Sequence, residues 1–197
     1  LARRLTNNNA LCRGKYKAMR IGLLSFELTA SGGEQRQLLW LAKELQAMGH
    51  TVSVYTYRHN AGSCYPALAR QIDIRCVEKV TGQRLVQRSN TLAQLTLAAR
   101  RYFLESRVLA QLVEPVDVLN PHGRPAHRAA VFCKRKTGSP VVWTCNDIVS
   151  WEKAGHRARL PFPVQVLASQ LMRPLEQKIV RHIDMVAVLD HNVQQIL

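Results

Sequence analysis

The chain has 197 residues, 47% hydrophobic and 21% charged, which is enough for one ordinary core and is not the composition of a disordered segment. Its apolar runs break well short of the ~18 residues that a membrane-spanning helix needs. A formal net charge of +15 invites a nucleic-acid reading, yet no RNA-binding signature, zinc-finger spacing or aromatic-basic interleaving accompanies it.

The charge is also unevenly placed. Residues 1–18 hold Arg3, Arg4, Arg13, Lys15 and Lys17 and no acid, while the rest is spread along the chain with local clusters such as Lys134–Lys136. A basic face against an anionic membrane or a phosphorylated substrate fits such a distribution as well as a nucleic acid does. Cys12, Cys64, Cys76, Cys133 and Cys145 form an odd set without a C-x-x-C pair, the pattern of reduced thiols in a cytosolic protein rather than of a disulfide framework or zinc site. The first eighteen residues lack the apolar core of a signal peptide. Met19 directly precedes the first expected strand, so residues 1–18 are expected to be a disordered basic extension and 19–197 the folded domain.

In chain order, "RIGLLSF" (Arg20–Phe26) is an apolar run suited to a buried parallel strand. Leu38, Leu39, Leu41, Ala42, Leu45 and Met48 then make one side of a helix that stops at Gly49. "TVSVYTY" (Thr51–Tyr57) reads as a second strand, followed by a loop from Arg58 to Gln71. "IDIRCV" (Ile72–Val77) gives a third strand, and helical spacing from Thr91 to Val113 ends at Glu114-Pro115. "VDVLN" (Val116–Asn120) is a fourth strand with a short helix after Pro125, and "PVVWTC" (Pro140–Cys145) a fifth. A punctuated loop leads to a helix over Val164–His182, a sixth strand "DMVAVL" (Asp184–Leu189) and a further helix start. Alternation of this kind predicts an α/β fold, a doubly wound, Rossmann-like and mostly parallel sheet.

In such a sheet, ligands bind at the carboxyl ends of the strands, which selects the candidate residues. Ser31 and Glu34 have the S-x-x-E spacing of a capping box, with Gly32 and Gly33 in the first helical turn. Two readings of the glycines stand: they relax a tight turn, or they leave backbone N–H groups bare for a phosphate at the positive end of the helix. His122 follows the fourth strand and projects over the same edge, either as a group that bonds a substrate hydroxyl or as a loop histidine bonded to backbone. His127, inside the next helix, reads as structural or exposed. Asn146 and Asp147 follow the fifth strand and suit either a polyhydroxylated substrate or a turn cap. Glu176, with Lys178 and Arg181, reads as part of a solvated charged face.

Taken in order, "MRIGLLSF", "SGGEQRQLLWLAKELQAMGHTVSVYT", "VDVLNPHG", "PVVWTCND" and "LEQKIVRHIDMVAVLDHNVQQIL" resemble the N-terminal half of the family-4 glycosyltransferases, retaining enzymes of the GT-B fold. The resemblance runs from Met19 to Leu197. It implies a nucleotide-sugar co-substrate, no metal and no other cofactor, with Gly32 and Gly33 beside the donor phosphates and His122 facing the transferred sugar. The acceptor, a glycan, a lipid-linked sugar or another hydroxyl compound, would meet Asn146 and Asp147. Departures from the family pattern are Glu34-Gln35 after the glycines, Asn146 in place of a frequent histidine, and Asp190 in place of a frequent serine.

The family holds its donor chiefly in a C-terminal domain, so residues 1–197 are expected to be inactive alone, a truncated or split transferase, cytoplasmic or peripheral on the inner face of a membrane. Two alternatives compete: a basic binding module for nucleic acid or an anionic surface, and a dinucleotide-binding oxidoreductase domain. The second needs an acid at the end of the second strand, where this chain has "TYRHN".

Overall fold

The computed structural model describes residues 17–81, 104–145, 170 and 173–188. Four parallel strands, β1 (Arg20–Leu28), β2 (Thr51–His59), β3 (Asp73–Cys76) and β4 (Val118–Pro121), form a sheet in the order β3-β2-β1-β4. Two more, β5 (Val142–Cys145) and β6 (Met185–Val188), pair in parallel with each other. Parallel bridges Leu119↔Val141 and His122↔Thr144 join β5 to β4, so the strands follow the order 3-2-1-4-5-6. That is the doubly wound order, and it reverses between β1 and β4.

Helices cover both faces. α1 (Gly33–Ala47) follows β1, the short α2 (Pro66–Ala69) and α3 (Val77–Thr81) flank β3, and α4 (Ser106–Leu112) precedes β4. α5 (Arg124–Thr137) links β4 to β5, and α6 (residues 173–180) precedes β6.

The period-2 pattern of the strands explains the two layers of core. Ile21 and Leu23 of β1 and Val52 and Val54 of β2 pack with Leu38, Leu39 and Ala42 of α1 on one face. Leu24, Phe26, Tyr55 and Tyr57 face the other way, toward Leu109 of α4 and Ala126, Ala129, Ala130 and Cys133 of α5. The small residues of α5 let that helix lie close on the sheet. Each fully buried leucine removes enough apolar surface from water to contribute about 1.5–3 kcal/mol.

The boundaries differ from expectation in instructive ways. β1 runs two residues past Phe26, because Asn60 N–H still donates to the Leu28 carbonyl at 2.9 Å. The loop from Arg58 to Gln71 contains α2, with Pro66 at its start, and β3 gives way at Val77 to α3. β4 runs from Val118 to Pro121, preceded by Asp117, whose N–H donates to the Arg20 carbonyl at 2.8 Å while its side chain accepts the Arg20 N–H at 2.7 Å. Of the helix expected over Thr91–Val113, α4 is the described part. The helix start after Asp190, and Cys12, lie outside the described residues. The remaining cysteines, Cys64, Cys76, Cys133 and Cys145, are buried. Among the described residues no helix is long and apolar enough to cross a membrane.

The β5–β6 side is tied down by charge. Lys134 Nζ of α5 sits 2.6 and 2.7 Å from the two oxygens of Asp184 and donates to the His182 carbonyl at 3.0 Å, while Asp184 Oδ2 accepts the Val141 N–H at 2.7 Å. Lys134 and that backbone N–H together hold the Asp184 carboxyl below the usual carboxylate range. The pair is half exposed, so Lys134→Met should lower unfolding free energy by only about 0.5–1 kcal/mol. Urea titration at neutral pH measures it, and a loss of several kcal/mol would mean that the clamp carries more than a surface pair does.

Candidate functional site

In sheets of this kind ligands bind outside the carboxyl ends of the strands where the order reverses, which here is between β1 and β4. Two loops meet there. One leaves β1 at Leu28 and enters α1, and the other leaves β4 at Pro121 and enters α5.

The first loop corrects the capping expectation. Gly32 is the N-cap of α1, in extended conformation (φ −111°, ψ 170°), with no side-chain cap. The Ser31 hydroxyl instead donates to the Ser63 carbonyl at 2.7 Å, holding the loop to the segment after β2. Gln35 reaches back over Gly32 and donates to the Glu27 carbonyl at 3.3 Å. A Cβ on Gly32 would lie 2.4 Å from the Gln35 side-chain oxygen, whereas one on Gly33 would meet nothing within 4 Å. Gly33 is exposed and opens the helix, so its backbone is open to a ligand.

The second loop carries His122. Its N–H donates to the Leu24 carbonyl at 2.7 Å, and its ring is buried, 1% exposed. Burial pushes the imidazole down to about 4, so it is neutral at physiological pH. Its Nε2 lies 2.9 Å from Asn120 Oδ1, and its Nδ1 has no hydrogen-bond partner among the described residues. Asn120 is in turn held by β5: its Nδ2 donates to the Val142 carbonyl and, at 2.9 Å, to Thr144 Oγ1. Sequence reasoning passed over Asn120. Its alternation on β4, two residues before His122 and on the same face, was the available signal.

The two loops touch. Gly123, at φ 73° and ψ 164°, is the N-cap of α5, and a Cβ there would lie 2.8 Å from Glu34 Oε1. Glu34, expected to close a box with Ser31, thus turns from its own helix and sets its carboxylate against the positive end of α5. Glu34 and Gly123, the sequence neighbours of Gly33 and His122, are in contact, so the two loops meet at this edge. Asn146 and Asp147 follow directly after β5 and lie outside the described residues.

His127 is buried in α5, with Nε2 2.8 Å from Glu176 Oε2, and Arg128 Nη1 donates to Glu176 Oε1. Glu176 is therefore no solvated residue: its side chain is 12% exposed, clamped between α5 and α6. Its neighbours Lys178 and Arg181 are exposed as expected. At the end of β2, Arg58 lies between Glu78 (3.0 Å) and Glu27 (3.4 Å), so a cation stands where a dinucleotide fold places its ribose-binding acid. A pocket at the opposite, amino-terminal edge includes Arg75, Tyr55 and Ser53, but Arg75 is paired with Asp73 and Glu114.

The sequence pattern of the family described as "Glycosyl transferase 4-like domain" matches residues 32–197. No curated protein matches the chain. Among solved structures, similarity is found to the glycotransferase of kitacinnamycin (16% identity, TM-score 0.46, 84% of this chain and 39% of that one). It is also found to Acinetobacter baumannii MurG (17%, 0.43, 88% and 42%) and to the apo form of the lipopolysaccharide outer core galactosyltransferase WaaB (12%, 0.42, 64% and 32%). The chain spans less than half the length of each of these three.

Proposed function

The chain belongs to the glycosyl transferase 4-like family, and on that premise we propose that residues 19–197 are the acceptor-side half of a GT-B glycosyltransferase that moves a sugar from a nucleotide-sugar donor to a hydroxyl acceptor with retention of configuration. The observation that carries the reading is the contact of the glycine loop with the His122 loop at the strand-order reversal. In this reading the open backbone at Gly33, next to Gly32, receives the donor diphosphate, and neutral His122 accepts a hydrogen bond from the transferred sugar. Asn146 and Asp147 take the acceptor, glycan, lipid-linked or small.

One wall of a cleft excludes little water and holds a diphosphate weakly. Most of the donor contacts belong to a second domain. Residues 1–197 by themselves should bind UDP-, GDP- or ADP-linked hexoses no tighter than about millimolar, roughly 4 kcal/mol, and transfer no sugar. The test is a titration of these donors into the 15N-labelled chain. Shifts centred on the amides of Gly32, Gly33 and His122 are expected. Shifts elsewhere with none at these three, for every donor, would sink the assignment, and robust transfer by the purified chain would overturn the need for a second domain.

A further inference from the structure

The tautomer of the buried His122 ring is set by a neighbouring side chain, Asn120. A backbone carbonyl can only accept, so the group of Asn120 that meets the Val142 carbonyl has to be its NH₂. Thr144 Oγ1 receives the second N–H of the same amide at 2.9 Å. Both anchors are on β5, and they fix the amide orientation without reference to the histidine. Asn120 Oδ1 then faces His122 Nε2 at 2.9 Å, and two acceptors cannot share that contact. Nε2 therefore carries the proton. In a neutral ring the lone pair is left on Nδ1, the atom with no partner among the described residues.

We propose that Asn120, held by Val142 and Thr144, is a positioning residue that keeps His122 in the Nε2–H tautomer and leaves the buried Nδ1 as the ring's acceptor, so that any ligand group reaching it has to be a hydrogen-bond donor. A hydroxyl or an amide N–H satisfies it. A carbonyl, a phosphate oxygen, or a sugar carbon bearing fluorine or hydrogen in place of the hydroxyl does not. Specificity at this point comes from an unmet lone pair, which penalises a missing hydroxyl more than a shaped apolar wall would. The ligand consequence rests on the sugar-transfer reading; the tautomer does not.

The experiment is long-range 1H–15N correlation of the histidine rings in the full 197-residue chain, with His122 assigned by its loss in His122→Gln. The expected wild-type pattern is Nε2 protonated and Nδ1 bare from pH 7 to 5.5. Nδ1 protonated would overturn the inference. Asn120→Leu removes the acceptor and should give a mixture of tautomers. Because that buried change also releases Val142 and can unfold the chain, Asn120→Ala serves as the second variant: it is smaller, likewise removes the Oδ1 acceptor, and should also give a measurable Nδ1–H fraction. A folded Asn120→Leu or Asn120→Ala with the tautomer unchanged refutes the positioning role, and where neither folds the wild-type ring pattern alone decides. Since the ring spectrum needs no sugar, the tautomer stands or falls apart from the donor titration above.

Discussion

Gly123→Ala should cost about 3 kcal/mol of stability, although it adds a single methyl group at the edge of the domain. Two terms combine. With φ at 73° and ψ at 164°, Gly123 occupies backbone space that is nearly exclusive to glycine, at about 1–3 kcal/mol for any other residue. The new Cβ would also lie 2.8 Å from Glu34 Oε1, so the carboxylate has to leave the start of α5. Relief through the strand is blocked, because the His122 N–H is held to Leu24 at 2.7 Å. The strain has to be released by moving α5 and the Glu34 side chain, which separates the two loops of the candidate site.

A double-mutant cycle divides the two terms. Glu34→Ala removes the clash but not the dihedral strain, so the pair Glu34→Ala and Gly123→Ala should couple by about 1 kcal/mol, with most of the loss remaining. Urea midpoints for the four proteins give the answer. If Gly123→Ala matches the wild type within about 0.5 kcal/mol, the turn is not the fixed joint described above.

How far these features could be read from the sequence depended on whether their causes were local. Buried parallel strands are continuous apolar runs, and α1 is a stripe ending at Gly49, whose positive φ of 95° is the ordinary helix stop. Hence strand number, helix alternation and the positions of Gly32, Gly33 and His122 at strand ends were legible. The interactions inside the site were not, because their partners lie far along the chain. S-x-x-E spacing fits a capping box, yet Ser31 finds Ser63 thirty-two residues on, and Glu34 finds Gly123. Glu176 looks solvated among Lys178 and Arg181 until α6 docks on α5 and brings it to His127, forty-nine residues back. Asn120 has its meaning only once β4 lies beside β5, and no spacing rule within one strand announces that neighbour.

The burial of His122 has a consequence for the whole domain that needs no ligand to detect. In the unfolded chain a histidine titrates near 6.5, whereas burial holds His122 down to about 4 in the folded protein. Between those values the unfolded state binds a proton that the folded state refuses. The stabilisation is therefore fully present above about pH 6.5, falls as pH falls through the window, and is gone near pH 4, a total of about 3 kcal/mol. His59 contributes with the same sign, since burial and then Lys79 push it down too, so an absolute profile would mix the two. The difference between wild type and His122→Gln isolates the one ring. Urea unfolding of both proteins from pH 7 to pH 4.5 should show the wild type losing about 2–3 kcal/mol more than the variant. Parallel profiles would mean that His122 protonates freely in the folded state, and the neutral acceptor assigned to the site would be the wrong species.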